Sequence, residues 1–174
     1  MNVALLILRI VVGALFVGHG CQKLFGWFHG RGPRGTASMF ESVGIVPALP
    51  LAVIAGLCEL TGGLLLGFGL FTPAAAVLIV AVMATAIAFV HWKHGVWADE
   101  GGLEFPLVMA TVAFAVVAIG PGTISLADAF GLEWSGLSWA VAAVAVGVAA
   151  GLAVVALGWF TRRTHHREPM AGTT

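Results

Sequence analysis

Apolar residues run along this chain in long unbroken stretches, separated by short polar segments. Five such runs stand out: Asn2 to Phe25, about Pro47 to Phe71, Pro73 to Trp97, about Glu104 to Ile119, and Ser138 to Phe160. A helix needs on the order of 20 apolar residues to cross the hydrocarbon of a bilayer. Barrel strands would instead alternate apolar and polar positions over roughly ten residues, so the runs predict helices. Pro73 suits the first turn of the third helix. Gly120-Pro121-Gly122 predicts a stop or kink after the fourth, with a possible continuation to Ala129. The first run lacks the basic start of a secretory signal and is too long for one, so it is expected to be a retained span.

Composition strengthens this reading. Of the 174 residues 60% are hydrophobic and 9% charged, with mean hydropathy +1.03, against about a quarter charged in a soluble domain. The surface must face the lipid bilayer, and the expected fold class is all-α, a polytopic membrane protein. Eight basic and eight acidic residues cancel, which leaves no cationic footprint for nucleic acid. Two cysteines without a Cys-x-x-Cys spacing supply no disulfide framework, zinc knuckle or dithiol relay. With five spans, Arg31, Arg34, Lys93, Arg162, Arg163 and Arg167 fall on one side, and Asp128 and Glu133 on the other. The positive-inside rule then predicts a plasma-membrane protein with its N-terminus outside and its C-terminus cytoplasmic. The polar tail at 162–174 is expected to be disordered, with His165 and His166 solvated.

Ionisable groups within spans are costly unless paired or hydrated, so each marks a functional candidate. Arg9 lies toward the outer end of the first helix, and His19 and Lys23 toward its cytoplasmic end. Glu59 sits mid-span in the second helix, His91 near the cytoplasmic end of the third, and Glu104 opens the fourth. Depth predicts a cytoplasmic layer of His19, Lys23, His91, His94 and Glu104 with Glu59 beneath it. Glu59 needs Arg9, Lys23 or a histidine as partner. One reading is an ion pair that fixes helix register; the other is a ligand, proton or redox site. His91 and His94 share a helix face and could join His19, Glu59 or Glu104 around a metal, or His19 and His91 could ligate a haem; neither has a spacing signature, so neither metal nor haem is expected.

Gly63 with Gly67, and Gly147 with Gly151, have the small-xxx-small spacing of close helix packing. The first pair predicts contact within the bundle. The second lies on a charge-free helix and suits either internal packing or a partner subunit, including a homo-oligomer. Trp27, Trp92, Trp97, Trp134, Trp139 and Trp159 fall near span ends, where indole rings anchor at the interface. Phe16, Phe25, Phe28, Phe89 and Phe105 gather near the polar layer and serve either the core or a stack on a planar ligand. Cys21 and Cys58 read as small buried apolar residues.

Several ordered motifs resemble the DoxX family of membrane proteins. They are Leu8-Arg9-Ile10-Val11-Val12-Gly13, Gly18-His19-Gly20-Cys21-Gln22-Lys23-Leu24-Phe25-Gly26-Trp27-Phe28, Glu59-Leu60-Thr61-Gly62-Gly63-Leu64-Leu65, and His91 with Gly95. Gly101-Gly102-Leu103-Glu104-Phe105-Pro106 and Gly120-Pro121-Gly122 with Ser125-Leu126 continue the series. Ala127 stands between Leu126 and Asp128 where the family tends to have Ser-Leu-Asp. The resemblance covers about residues 3–131 and implies a four-transmembrane-helix core at 1–131, with an additional helix at 132–161 outside it. It implies a subunit of quinone-linked oxidoreductases or of oxidative-stress defence, working with redox protein partners. Its polar positions fall on Arg9, His19, Gln22, Lys23, Glu59, His91 and Glu104.

Combined, these readings lead to a quinone-binding redox subunit. His91 or His19 would hydrogen-bond the ring, Glu59 or Glu104 would exchange the proton, and Arg9 or Lys23 would stabilise negative charge. Without a nucleotide fingerprint or iron–sulfur cysteines, electrons would come from a partner or substrate. Two alternatives remain: a small proton-coupled transporter using the same charges, and a scaffold recruiting soluble proteins through the loop from Gly30 to Val46 and the tail.

Overall fold

The structure, a computed structural model, describes residues 2–165, with side chains through Thr161. The described residues form helices and no strands. In order they are α1 (Asn2–Phe25), α2 (Gly32–Val43), α3 (Ala48–Phe68), α4 (Thr72–Ala86), α5 (Glu104–Ile119), α6 (Leu126–Ala129) and α7 (Leu137–His165). A π turn (Ile87–His91) and a 3-10 turn (Trp92–His94) extend α4.

Among the described residues four helices are long and apolar enough to cross a membrane: α1, α3, α4 with its extension, and α7. The expected fourth span, α5, keeps its expected bounds but has 16 residues, about 24 Å at 1.5 Å per residue. That is shorter than the roughly 30 Å of hydrocarbon. It stops at Gly120 (φ 95°), so the continuation to Ala129 becomes the separate short helix α6. Ser125 caps α6 by accepting a hydrogen bond from the Asp128 N–H at 3.2 Å. The tail beyond His165 lies outside the described residues.

The segment from Gly30 to Val46, expected as a loop, contains helix α2. Pro33 in its first turn and left-handed Gly44 just past its end (φ 83°) are ordinary start and stop signals. Thr36, Ala37 and Phe40 turn inward, and the apolar face packs mainly on α3, with Ile45, Ala48, Ala52, Phe89 and Val154 nearby.

Two glycine seams hold the bundle. Between α1 and α3, a Cβ at Gly13 would lie 2.7 Å from Gly63 O, and one at Gly20 would lie 2.6 Å from Leu60 N. No side chain fits there, so backbones meet directly and run antiparallel. Between α7 and α4, a Cβ at Gly147 would meet Val80 at 2.7 Å and one at Gly151 would meet Ala84 at 2.7 Å. Residue numbers rise together, so these helices run parallel. The Gly147/Gly151 pair therefore serves internal packing. The core proper lies between α1, α3, α4, α5 and α7, around Phe16, Leu66, Ile79, Val116 and Ala140. Much of the outer surface is apolar, with Ile7, Ile10, Val11, Val141, Val146 and Leu152 all exposed, as contact with lipid requires.

Candidate functional site

The close α1–α3 approach brings Lys23 opposite Glu59. Lys23 Nζ donates to both carboxylate oxygens, at 2.8 and 2.6 Å. Glu59 is only 4% exposed at its side chain and Lys23 20%. Of the three partners that sequence left open for Glu59, the fold selects Lys23. An unpaired charge at this depth would cost several kcal/mol; pairing removes that cost and ties the two helices.

Beside this pair lies a cavity of about 400 Å³, lined by residues of α1 to α5 and α7. Its walls are apolar, including Phe16, Phe40, Leu78, Met83, Phe105 and Val154, and its polar side chains gather at His19, Lys23, Glu59, Thr85 and His91. Cys58 also faces it. A largely apolar cavity with a few convergent polar groups has the usual form of a small-molecule site. Helices α3 and α7 flank it with little direct contact. Ile54 of α3 and Ala150 of α7 both line it and are exposed.

Both histidines are held from behind. His91 Nδ1 donates to the carbonyl of Gly101 at 2.7 Å. His19 Nδ1 stands 3.2 Å from Gln22 Oε1, while Gln22 Nε2 donates to Phe28 O at 3.2 Å. The His19 ring meets Phe105 edge-on, with centroids 6.3 Å apart. His91 closes the π turn and His94 the 3-10 turn after it; His91 lines the cavity and His94 does not. His94 is exposed and its Nδ1 bonds Val90 O at 2.9 Å.

Not every expected residue joins the cavity. Gln22 supports His19 from outside it. Glu104 is exposed and accepts the Ala98 N–H at 3.0 Å, which closes the turn from Gly95 to Leu103. That turn also bonds Leu103 N to Gly95 O at 3.1 Å and Glu104 N to Val96 O at 2.9 Å, and it presents the Gly101 carbonyl to His91. Phe25 and Phe28 are exposed, and Phe89 packs against the α2 cluster. Among the described residues no group of three or more His, Cys, Asp or Glu converges as a metal site would.

Arg9 lies at the opposite end of α1, fully buried. Its Nη1 donates to Gly67 O at 3.3 Å and its Nη2 to Ile124 O, while Nε has no partner among the described residues. Gly67 belongs to the last turn of α3, where carbonyls lack helical partners and carry partial negative charge. Arg9 thus clamps α1 to the end of α3 and to the segment before α6. Gly69, in the left-handed conformation (φ 63°), leaves room for it; a Cβ there would collide with the guanidinium.

Sequence reasoning missed Met39 and Phe40 of α2, and Ala150 and Val154 of α7, as cavity walls. The signal for α2 was present in the helical spacing of Thr36, Ala37 and Phe40 between Pro33 and Gly44.

The fold and its buried ion pair define a small polytopic helical membrane protein with an internal cavity. The chain belongs to the DoxX family, whose pattern matches residues 4–92. "Putative oxidoreductase CatD" of Bacillus subtilis (strain 168) is 36% identical over 92 residues, 53% of this chain and 63% of that protein. An "Uncharacterized protein" of Haemophilus influenzae is 36% identical over 100 residues, 58% of this chain and 64% of its own length. The chain therefore spans just under two thirds of these two relatives. "Inner membrane protein YphA" of Escherichia coli (strain K12) is 32% identical over 133 residues, 71% of this chain and 88% of that protein. No solved structure matches.

Proposed function

We propose that this protein is the membrane subunit of a quinone-linked redox system and that the cavity seats the ring of a quinone or quinol. The observation that carries this reading is the cavity itself: about 400 Å³, apolar along its walls, with His19, Lys23, Glu59 and His91 lining it. A lipid-dissolved conjugated ring with two oxygen substituents matches both parts, and its tail can leave past exposed Ile54 and Ala150 toward the bilayer. The name of the Bacillus subtilis relative, an oxidoreductase, agrees with redox work. Bound there, a quinone supplies two-electron, two-proton chemistry. The chain's own residues orient the ring, exclude water and hold protons at the histidines and Glu59. Arg9 and Glu104 act at a distance, Arg9 by fixing the bundle and Glu104 by ordering the turn behind His91. Electrons come from a partner protein or substrate.

The test is gentle extraction into lipid nanodiscs followed by quantification of copurified quinones by mass spectrometry. Near-stoichiometric quinone in the wild type, lost in Glu59→Gln and in His91→Asn with the fold intact, supports the reading. Folded wild-type protein free of quinone, and unable to take up added quinone, sinks it.

A further inference from the structure

The hydrogen bonds behind the cavity fix what its polar groups can offer a ligand. A backbone carbonyl only accepts, so the 2.7 Å contact from His91 Nδ1 to Gly101 O places the ring hydrogen of neutral His91 on Nδ1. Its Nε2 is then a bare acceptor. The same logic reaches His19 through one more residue. Gln22 directs its amide nitrogen to Phe28 O, so its oxygen faces His19 Nδ1 and can only accept. Neutral His19 therefore also carries its hydrogen on Nδ1 and leaves Nε2 bare. Neither Nε2 has a partner among the described residues.

The remaining strong donors at the cavity are largely engaged. Lys23 Nζ gives two of its three hydrogens to the Glu59 oxygens, and the Thr85 hydroxyl donates to Ala81 O at 2.9 Å. What remains for a ligand is mainly acceptors: two imidazole nitrogens, the free lone pairs of Glu59 and the oxygen of Thr85. A quinone brings two carbonyl acceptors to such a surface; one at most meets the last Lys23 hydrogen, and the other is left facing acceptors. A hydroquinone brings two O–H donors, each of which finds a lone pair.

We propose that the cavity selects the reduced, hydroxyl-bearing form of its ring ligand, a hydroquinone, over the corresponding quinone. The inference rests on the quinone-site reading above and adds the redox form that the site recognises. The glutamine behind His19 and the turn behind His91 act as positioning elements, because each sets a ring tautomer without touching the ligand. Bare imidazole nitrogens can also bind a metal, but the absence of a third converging ligand among the described residues favours the hydroxyl donor.

The experiment uses full-length protein in lipid nanodiscs titrated with decylubiquinone and, under nitrogen with dithionite, with decylubiquinol. The expected result is at least about tenfold tighter binding of the hydroquinone, the factor that follows from one mismatched buried hydrogen bond. In His91→Gln and His19→Gln, an amide that can turn its N–H₂ toward a carbonyl should shrink that ratio toward one. A merely structural role for the histidines would weaken both ligands together and keep the ratio. Quinone binding as tight as or tighter than hydroquinone in the wild type overturns the proposal while leaving the quinone-site reading intact. Failure of both ligands to bind overturns that reading and this inference with it. Binding abolished by EDTA overturns the proposal in favour of a metal-mediated site. The wild-type ratio decides even if the variants do not fold.

Discussion

Arg9 and Lys23 stand on nearly the same face of α1, about 21 Å apart along its axis by helical rise, and both point toward α3. Their surroundings differ in every respect that bears on function. Arg9 is fully buried, holds only backbone carbonyls and adjoins no part of the cavity. Lys23 meets a carboxylate and lines the cavity. One end of the bundle is sealed by a guanidinium serving the frayed carbonyls at the end of α3. The other end is open around an ion pair and two oriented histidines. A buried cation in a membrane helix is therefore a candidate for ligand binding only when space adjoins it; where its partners are helix-end carbonyls, it marks a joint.

The sharpest way to break this contrast is at the ion pair. Glu59→Leu should lower stability by about 3–5 kcal/mol, because it strands Lys23 in apolar surroundings. Lys23→Met combined with Glu59→Leu should recover most of that loss, and quinone should still be absent from the double variant. Thermal unfolding in nanodiscs reads the first effect and quinone content the second. A double variant that still binds would reduce the pair to a structural tie, equivalent to Arg9.

Gly63→Val probes the seam that brings the pair together. A Cβ at Gly63 would lie 2.6 Å from Gly13 O and 2.8 Å from Val17 N, so the helices must separate, at about 1–3 kcal/mol. Melting temperature and quinone content should fall together, since separation also draws Lys23 from Glu59. Arg9→Lys tests the other end. Lysine keeps the charge but not the fork that spans two carbonyls, so stability should drop by about 1–3 kcal/mol with quinone affinity unchanged; a parallel loss of affinity would contradict the division between the two ends. The smallest effect is expected from Ser125→Ala, which removes the cap of α6 near Arg9. It should cost about 1 kcal/mol by chemical unfolding and leave binding untouched.

Much of the fold was legible because lipid contact requires long apolar runs, and the runs fell where the helices are. Helix α5 keeps its expected ends because Glu104 and Gly120 are strong boundary residues. Helix α2 was hidden by its shortness and by polar residues such as Arg34, Ser38, Glu41 and Ser42 on its outer face. At the candidate site, burial cost pointed to Glu59 but allowed Arg9, Lys23 or a histidine as partner. Only the α1–α3 register, set by backbone contact at Gly13, Gly20 and Gly63, selects Lys23. His91 lines the cavity and His94 does not, a difference that depth along the chain, which placed both in one polar layer, does not carry. Glu104 was expected in the polar layer by depth, yet its carboxylate turns back to its own preceding loop, as acidic groups at helix starts often do.

The measurement that tests the division most directly is photolabelling of full-length protein in nanodiscs with an azidoquinone, with adducts mapped by peptide mass spectrometry. If the cavity beside Lys23 and Glu59 is the site, saturable adducts should fall on residues around His19, Cys58, Met83 and His91, and excess unlabelled quinone should remove them. Saturable adducts around Arg9, Gly67 and Ile124 instead, or labelling that unlabelled quinone does not displace, would contradict it.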